Sequence, residues 1–419
     1  GGAGVDTINA NLESTFNVYG DWLFNGGTED DTLRMQIINE SNFLDDDALS
    51  FNGGTGNDRF ILVGTENDDT FRFDNNTSLL YNGQTIDNNG PAMLTDVETW
   101  GADGREGDDT YTYEFGQITG IITELDDTFA FDSDTLEIVG GTTSDDSFTI
   151  ADGANFDTVT FSGETLNFKG ISGITVDAAN PTSPATDNDT VTVNGTTDAD
   201  NVVIENDTVT LNELNVTTTN TENVVVDALA GDDNYAYYLG TNSGFADSGD
   251  VALSFSDTGT DGTLTVYGTA NDDTITANVD EEITDGTETV DFTGSGLTAA
   301  VDGNGGTDTL TLEGDVNDNS VVVADTVSLD ADTTAGAAFV VEYNSITNIE
   351  IDGDNGDDVY EVTLPLATAD FVEILNSPGT AETLIFNGTN DNDEFSLSQA
   401  GFTFTIALPG YTFDFGSGI

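Results

Sequence analysis

The chain has 419 residues, with 80 acidic and 5 basic side chains, so its formal net charge at pH 7 is −75. It contains no Cys and no His, which excludes disulfides, thiolate and imidazole metal sites, and nucleophilic enzymes of the Cys/His and Ser-His-Asp classes. A surface this acidic repels nucleic acid and anionic membranes, since both are bound through Lys and Arg. The composition therefore predicts neither nucleic-acid binding nor membrane insertion.

Short runs in which Thr alternates with Val, Ile or Phe recur along the chain, separated by Gly, Asn and Asp. Examples are Thr190-Val191-Thr192-Val193 and the segment 71–73. A period of two residues with β-branched and aromatic side chains is typical of strands, and the separating residues are typical of turns. The sequence therefore predicts an all-β protein.

The first repeated motif is a Gly-rich turn followed by Asp and an alternating strand. Its copies are GGAGVDTIN (1–9), GGTEDDTLR (26–34), GGTGNDRFI (53–61), GREGDDTYT (104–112), GNGGTDTLT (303–311) and GDNGDDVYE (353–361), with a weaker copy, ALAGDDNYA (228–236). Gly supplies the sharp turn, and the alternation that follows sends apolar side chains to one face. The motif predicts a series of similar turn–strand units.

The second motif begins with Gly-Thr and leads through an acidic pair into a strand. Its copies are GTENDDTFRF (64–73), GTTSDDSFTI (141–150), GTTDADNVVI (195–204), GTANDDTITA (268–277) and GTNDNDEFSL (388–397), with the degenerate GDVNDNSVVV (314–323). Each copy directly follows another strand. Six such tandem pairs indicate that the whole chain is a repeat array.

The spacing of the motifs predicts the architecture. The leading glycines of the second motif are separated alternately by long and short intervals, whereas the glycine turns at 1, 26 and 53 are about 25 residues apart. A step of this length is typical of one coil of a β-solenoid, in which each coil stacks its strands on the last. We therefore predict a parallel β-solenoid with coils of roughly 25 residues; tandem β-sandwich domains are the alternative.

The same intervals predict a division of the chain into five parts. These are N-terminal Gly-rich coils (1–63), a first long-plus-short repeat unit (64–194), a second one (195–313), a third long unit (314–387) and a C-terminal partial unit or assembly strand (388–419).

The segments GGAGVDTIN (1–9) and GGTGNDRFI (53–61) resemble the nonapeptide of the RTX-type, or hemolysin-type, calcium-binding repeat proteins. In that family the nonapeptides follow one another directly, and calcium lies between the turns of neighbouring repeats. Here they are about 25 residues or more apart and cover about a quarter of the chain. The resemblance implies calcium-dependent parallel β-structure in a secreted protein, without the compact roll of the family or its toxin and protease activities.

Stacked acidic turns place like charges about 4.8 Å apart, and five basic residues cannot neutralise them. Because carboxylate and amide oxygens are the ligands that Ca²⁺ prefers, we predict Ca²⁺ at these turns; a halophile-type surface with diffuse counterions is the alternative. The predicted metal ligands are Asp6, Asp30, Asp31, Asn57, Asp58, Asp68, Asp69, Asp108, Asp109, Asp145, Asp146, Asp200, Asp232, Asp233, Asp272, Asp273, Asp308, Asp357, Asp358 and Asp393.

These features predict an extracellular structural protein, a calcium-stabilised subunit of a cell-surface filament, sheath or S-layer that self-assembles into a homopolymer. The strand-like C-terminus is expected to take part in that assembly. The stalk of a large calcium-dependent adhesin is the alternative. Glycan or cell-surface contact through Trp22, Trp100 or the Tyr-rich segment 235–238 is weighed against core packing, which is favoured. Acidic pairs recur in every repeat, whereas a catalytic pair should be singular, so a secreted polysaccharide-acting enzyme is less favoured and we predict no enzyme.

Overall fold

The fold was analysed in a computed structural model, in which two compact units are distinguished. Unit 1 comprises Gly1–Thr196 and Val209–Val225, and unit 2 comprises Thr197–Thr208 and Val226–Ile419. The structure describes residues 3–12, 22–37, 49–75, 78–82, 84–85, 94–115, 122–127, 132–140, 145–178, 188–241, 252–257, 262–292, 295–314, 320–323, 326–330, 339–352, 358–363, 371–375, 383–387, 396–400, 403–408 and 411–415.

The described residues form β-strands joined by turns. The strands up to residue 200 are β1 (Thr7–Leu12), β2 (Trp22–Thr28), β3 (Thr32–Ile37), β4 (Leu49–Thr55), β5 (Arg59–Val63), β6 (Thr70–Asn75), β7 (Ser78–Tyr81), β8 (Gln84–Thr85), β9 (Leu94–Thr95), β10 (Thr99–Asp103), β11 (Thr110–Glu114), β12 (Ile122–Asp126), β13 (Thr135–Val139), β14 (Ser147–Ala151), β15 (Asp157–Phe161), β16 (Glu164–Lys169), β17 (Gly173–Asp177) and β18 (Thr190–Asn194).

The remaining strands are β19 (Asn201–Glu205), β20 (Thr208–Leu211), β21 (Leu214–Thr219), β22 (Asn223–Asp227), β23 (Asn234–Tyr238), β24 (Ala252–Ser256), β25 (Thr263–Tyr267), β26 (Thr274–Asn278), β27 (Glu282–Thr284), β28 (Thr289–Asp291), β29 (Thr298–Asp302), β30 (Thr309–Glu313), β31 (Ser320–Val323), β32 (Thr326–Asp330), β33 (Phe339–Asn344), β34 (Asn348–Asp352), β35 (Val359–Thr363), β36 (Phe371–Ile374), β37 (Thr383–Asn387), β38 (Ser396–Ala400), β39 (Thr403–Leu408) and β40 (Tyr411–Phe415). Across the described segments there is no helix, and hence none long and apolar enough to cross a membrane.

Parallel ladders dominate unit 1. Strands β1, β3, β5, β10, β12 and β16 pair in that order, as do β6, β11, β13, β17 and β21. Strands β2, β4 and β9 form a short third ladder. Each strand therefore stacks on a strand of a neighbouring turn of the chain, as in a β-solenoid.

Unit 2 is built in the same way. Strands β19, β23, β25, β29 and β33 pair in parallel, and so do β26, β30, β34, β36 and β40. A shorter ladder joins β31, β35 and β37. Parallel ladders of this length confirm the predicted solenoid class and disfavour tandem sandwiches, whose sheets are antiparallel.

The registers explain the roughly 25-residue step. Thr7 pairs with Thr32, and Thr32 pairs with Arg59, so equivalent positions of successive motifs lie side by side. Where a second-type motif intervenes, the paired residues are farther apart in sequence, as for Ser147 and Thr190. The predicted step therefore holds for the plain coils only.

The residues that lengthen these intervals form antiparallel meanders of three strands. The sequence did not predict these meanders. Four of them are β14–β15–β16, β26–β27–β28, β31–β32–β33 and β38–β39–β40, and β6–β7–β8 is a fifth. In the meander of unit 1 at β14, the first strand pairs with the later β18 and the third pairs with the earlier β12. A meander is thus inserted into a ladder without interrupting it.

Apolar side chains of the alternating runs fill the interior, as predicted. In β18 both Val191 and Val193 are fully buried. Leu33, Phe60 and Trp100 occupy one row across three paired strands, and all three are buried. Aromatic rings also stack between coils, because the parallel register places equivalent side chains one above the other.

Candidate metal centre and the aspartate rows

The two residues of each acidic turn lie in different environments. We call the second residue of a turn, the one next to the strand, the inner aspartate, and the residue before it the outer residue. The inner aspartates Asp31, Asp58, Asp69, Asp109, Asp146, Asp200, Asp233, Asp308 and Asp358 are buried, as are Asp134 and Asp189, which precede strands β13 and β18. The outer residues Asp30, Asn57, Asp68, Asp108, Asp145, Asp232 and Asp272 are exposed.

Inner aspartates bond one coil to the next. The backbone N–H of Asp31 donates to Asp58 Oδ1 at 2.7 Å, and that of Asp109 donates to Asp134 Oδ1 at 2.8 Å. The same bond joins Asp6 to Asp31, Asp69 to Asp109, Asp146 to Asp189, Asp200 to Asp233 and Asp273 to Asp308, with the N–H donor named first in each pair. Glu98 and Glu222 accept in the same manner from Asp58 and Asp189. Each carboxylate therefore satisfies the main-chain donor that immediately precedes a strand of the adjacent coil.

Outer residues make the reciprocal bond in the opposite direction along the chain. Asp30 Oδ1 accepts from the N–H of Asn57 at 2.8 Å, and Asp68 Oδ1 accepts from the N–H of Asp108 at 3.0 Å. Further bonds of this kind run from Ser133 to Asp108, from Asn188 to Asp145 and from Thr307 to Asp272. In an acidic pair, the inner aspartate thus accepts a hydrogen bond from the preceding coil, and the outer residue accepts one from the following coil.

In several motifs the leading glycine is explained by the inner aspartate five residues later, whereas Ala228 takes this position before Asp233. A Cβ added at Gly53 would lie 2.5 Å from Asp58 Oδ2, and one added at Gly303 would lie 2.6 Å from Asp308 Oδ2. At Gly53 and Gly303 the carboxylate packs directly against the glycine Cα, so there is no room for a side chain. The second glycine has a separate reason, since Gly54 has φ +107°, a conformation that L residues rarely adopt.

Several inner carboxylates keep one oxygen that has no hydrogen-bond partner among the described residues. These buried atoms are Oδ2 of Asp31, Asp58, Asp109, Asp134, Asp233 and Asp308. Burial, and then the nearby acidic groups, raise the pKa of Asp58, Asp233 and Asp308, although the backbone N–H bond opposes the change. We call the inner aspartates that are bonded from coil to coil the aspartate rows. These rows therefore contain carboxylate oxygens to which the described residues donate no hydrogen bond.

Three carboxylates of unit 1 lie close together. Asp109 and Asp134 are consecutive members of an aspartate row, joined by a hydrogen bond, and Asp127 directly follows strand β12. One oxygen from each lies within 4.8 Å of the others, and all three residues are buried. Burial is the main cause that raises the pKa of Asp109 to about 8 and that of Asp134 to about 7. Tyr111 donates its hydroxyl hydrogen to Asp127 Oδ2 at 2.9 Å and accepts from the N–H of Gly104 at 2.8 Å.

Unit 2 contains a related arrangement with one carboxylate fewer. Tyr235 accepts from the N–H of Ala228 at 2.9 Å, as Tyr111 does from Gly104, and Asp233 and Asp257 correspond to Asp109 and Asp127. The position of Asp134 is taken by Gly262, which precedes β25 as Asp134 precedes β13. A Cβ at Gly262 would overlap Asp257 Oδ2. The two units thus provide a triad and a natural pair.

The predicted metal ligands are therefore distributed along the rows, and one of them, Asp109, lies in the three-carboxylate cluster. Asp357 and Asp393 lie outside the described residues. The motif search missed Asp127 and Asp134, the other two members of the cluster. Each stands directly before a Thr, as the inner aspartates often do, and this Asp-Thr signal could have identified them. Of the aromatic candidates for sugar stacking, Trp100, Tyr235 and Tyr237 are buried in the core.

Comparison with known proteins gives this chain no family. Neither a scan against protein-family models nor a search of curated proteins found a match. The likeness of two segments to the RTX-type nonapeptide therefore remains a prediction from sequence. The aspartate rows and the Asp109–Asp127–Asp134 cluster are the features of the described residues that bear on function.

Proposed function

We propose that this chain is an extracellular structural protein, a calcium-stabilised scaffold that serves in a cell-surface filament, sheath or S-layer. The observation that carries this proposal is the repeated use of inner aspartates as acceptors for backbone N–H groups of the adjacent coil. Acidic residues committed to joining coils support a mechanical role, because their bonds recur along the chain instead of forming one reactive centre.

Calcium belongs to the proposal because the rows leave negative charge uncompensated. Arg34 and Arg59 contact Asp103 and Glu124, at 2.7 and 2.6 Å, and Arg72 contacts Glu114. Those three ion pairs use most of the basic residues of a chain whose net charge is −75. The buried unbonded oxygens are hard ligands of the kind that Ca²⁺ takes. Cations supplied from outside would relieve this repulsion, and secretion into a calcium-containing medium would supply them.

Two extracellular roles, a self-assembling subunit and an adhesin stalk, differ in whether the chain assembles by itself. A filament or S-layer subunit should assemble from this chain alone when divalent cations bridge its acidic surface, whereas the stalk of an adhesin should stay monomeric. Light scattering of the purified chain in millimolar CaCl₂, with KCl of matched ionic strength as the control salt, separates them. Growth of large particles in CaCl₂ supports the self-assembling subunit, and a monodisperse monomer supports the stalk.

The proposal as a whole is tested by thermal melting followed by circular dichroism. We compare CaCl₂ with EGTA at matched ionic strength, and then EGTA in molar KCl. We expect the melting temperature to be highest in CaCl₂ and KCl to restore only part of the loss in EGTA, because diffuse ions screen surface charge but do not fill buried positions. Equal melting in all three conditions would contradict calcium stabilisation. A full rescue by KCl would favour the halophile-type surface.

A further inference from the structure

We propose that the Asp109–Asp127–Asp134 cluster of unit 1 is a specific Ca²⁺ site. This inference rests on the proposed function and deepens it, because it names one place where calcium binds and separates that place from the rest of the acidic surface. Asp109 belongs to an acidic turn, but Asp127 and Asp134 are absent from the repeated motifs, so the site is not an acidic turn alone.

The geometry of the cluster suits a single ion. Three oxygens, one from each carboxylate, lie within 4.8 Å of one another. Two ligands of one Ca²⁺ ion can be separated by up to about 5 Å, since Ca–O distances are roughly 2.3–2.6 Å, so the three oxygens are close enough to share one ion. A carboxylate-rich cage supplied wholly by protein also favours Ca²⁺, because Mg²⁺ gives up its water reluctantly.

A second, independent feature of the cluster also points to a cation as its ligand. The Oδ2 atoms of Asp109 and Asp134 are buried and have no hydrogen-bond partner among the described residues, although both side chains are at most 1% exposed. The Oδ2 atom of Asp109 lies against Gly104, where an added Cβ would also be 2.6 Å from the Tyr111 hydroxyl that bonds Asp127. This unbonded oxygen therefore lies on the side of Asp109 that faces the Tyr111 hydroxyl and the Asp127 carboxylate bonded to it. A buried acceptor without a donor is costly, and a bound cation removes that cost.

The arrangement in unit 2 shows that the third carboxylate is not needed to build the coil. Thr135 of β13 donates its N–H to the carbonyl of Asp109 at 2.9 Å, and Thr263 of β25 donates to the carbonyl of Asp233 at 2.9 Å. This backbone bond is thus the same in both places, but Gly262 replaces Asp134. Strand pairing is preserved without that side chain, so the pairing itself does not require Asp134, whose Oδ1 accepts the N–H of Asp109 and whose Oδ2 is left for a ligand.

Two isosteric substitutions test the site in the full chain. In Asp134→Asn the remaining Oδ1 can still accept the N–H of Asp109, and in the matched control Asp189→Asn it can still accept the N–H of Asp146. Both variants lose one buried charge, but only the first removes a ligand of the cluster. CaCl₂ is titrated into each protein by calorimetry in molar KCl, which screens diffuse binding at the surface.

We expect wild type and Asp189→Asn to share one saturable Ca²⁺ site of equal affinity, and Asp134→Asn to bind there about 10- to 100-fold more weakly. Hydrogen exchange locates the effect: calcium should slow exchange in residues 104–115 of wild type and of Asp189→Asn, but not in those of Asp134→Asn. Asp127→Asn is the second variant if Asp134→Asn fails to fold, and the same loss is expected.

Two results would overturn the site. One is a wild-type chain with no saturable uptake of calcium; the other is equal affinity in Asp134→Asn and Asp189→Asn. If calcium nevertheless raises the melting temperature of Asp134→Asn as much as that of wild type, the proposed site fails while the calcium-stabilised scaffold stands. If calcium changes the melting of neither protein, the calcium part of the proposed function fails as well.

Discussion

Replacing Gly303 with Ala tests the close approach between the leading glycine and the inner aspartate. A Cβ at this position would lie 2.6 Å from Asp308 Oδ2 and 2.6 Å from the backbone oxygen of Ser345. Neither neighbour is the flexible end of a long side chain, and Asp308 is fully buried. The carboxylate must therefore move, and its bond from the N–H of Asp273, 2.9 Å long, is lost or weakened.

The expected cost follows from two contributions. A hydrogen bond to a charged acceptor is worth about 1.5–3 kcal/mol, and overpacking of a tight site costs about 1–3 kcal/mol. The free energy of local opening at this turn should then fall by roughly 3–6 kcal/mol. Gly305 is the matched control in the same turn, because its added Cβ would meet nothing closer than 3.9 Å and its φ is outside the left-handed region. Gly305→Ala should be neutral, or stabilising by up to about 1 kcal/mol.

Hydrogen exchange is the suitable assay, because repeat arrays open locally and a single global free energy of unfolding is poorly defined for them. In peptides covering 303–313, Gly303→Ala should exchange about 100- to 10,000-fold faster than wild type, at about 1.4 kcal/mol per tenfold. Gly305→Ala should exchange at the wild-type rate. Equal exchange in the two variants would refute the packing of the inner carboxylate against the leading glycine.

Two further predictions follow from the rows. Asp272→Ala removes an exposed outer carboxylate that accepts from the N–H of Thr307. It should lower the free energy of local opening of this turn, measured by hydrogen exchange, by less than about 1 kcal/mol. A loss as large as that of Gly303→Ala would contradict the distinction between inner and outer residues. The second prediction concerns the dependence of stability on pH. Burial is the main cause that raises the pKa of Asp109 to about 8, that of Asp134 to about 7 and that of Asp157 to about 6. The folded chain therefore holds these protons more tightly than the unfolded chain. Stability in EGTA and molar KCl should therefore be greatest near the ordinary Asp pKa of about 4 and decrease as pH rises through about 6 to 8. Melting temperatures that rise over this interval would contradict the assignment.

Repetition made the ladder predictable from the sequence. The motifs containing Asp6, Asp31 and Asp58 are 25 and 27 residues apart, and the structure pairs the strands after them in that register. Alternation placed Val191 and Val193 inside for the same reason, because successive side chains of a strand point to opposite faces. Both features depend on local pattern, which a single sequence contains.

The meanders and the three-carboxylate cluster were not predictable in the same way. A meander such as β26–β27–β28 has the same alternation as a plain coil, so periodicity does not distinguish antiparallel strands from parallel ones. The cluster joins Asp109, Asp127 and Asp134 across connections of different length, and no fixed spacing encodes that approach. The motif also gave no indication that the inner carboxylates accept backbone hydrogen bonds, since acidic turns suit cations equally well.

The central claim is that inner aspartates join coils as hydrogen-bond acceptors, and Asp58 tests it most directly. Its Oδ1 accepts the buried N–H of Asp31 at 2.7 Å. The measurement is hydrogen exchange of the segment 22–37 in Asp58→Asn and Asp58→Ala, both in EGTA and molar KCl. We predict that Asn, which keeps the acceptor, preserves protection within about 1 kcal/mol, while Ala loses about 2–4 kcal/mol because the N–H of Asp31 is left unpaired. Equal loss in both variants would show that the charge, and not the acceptor, holds the coils together.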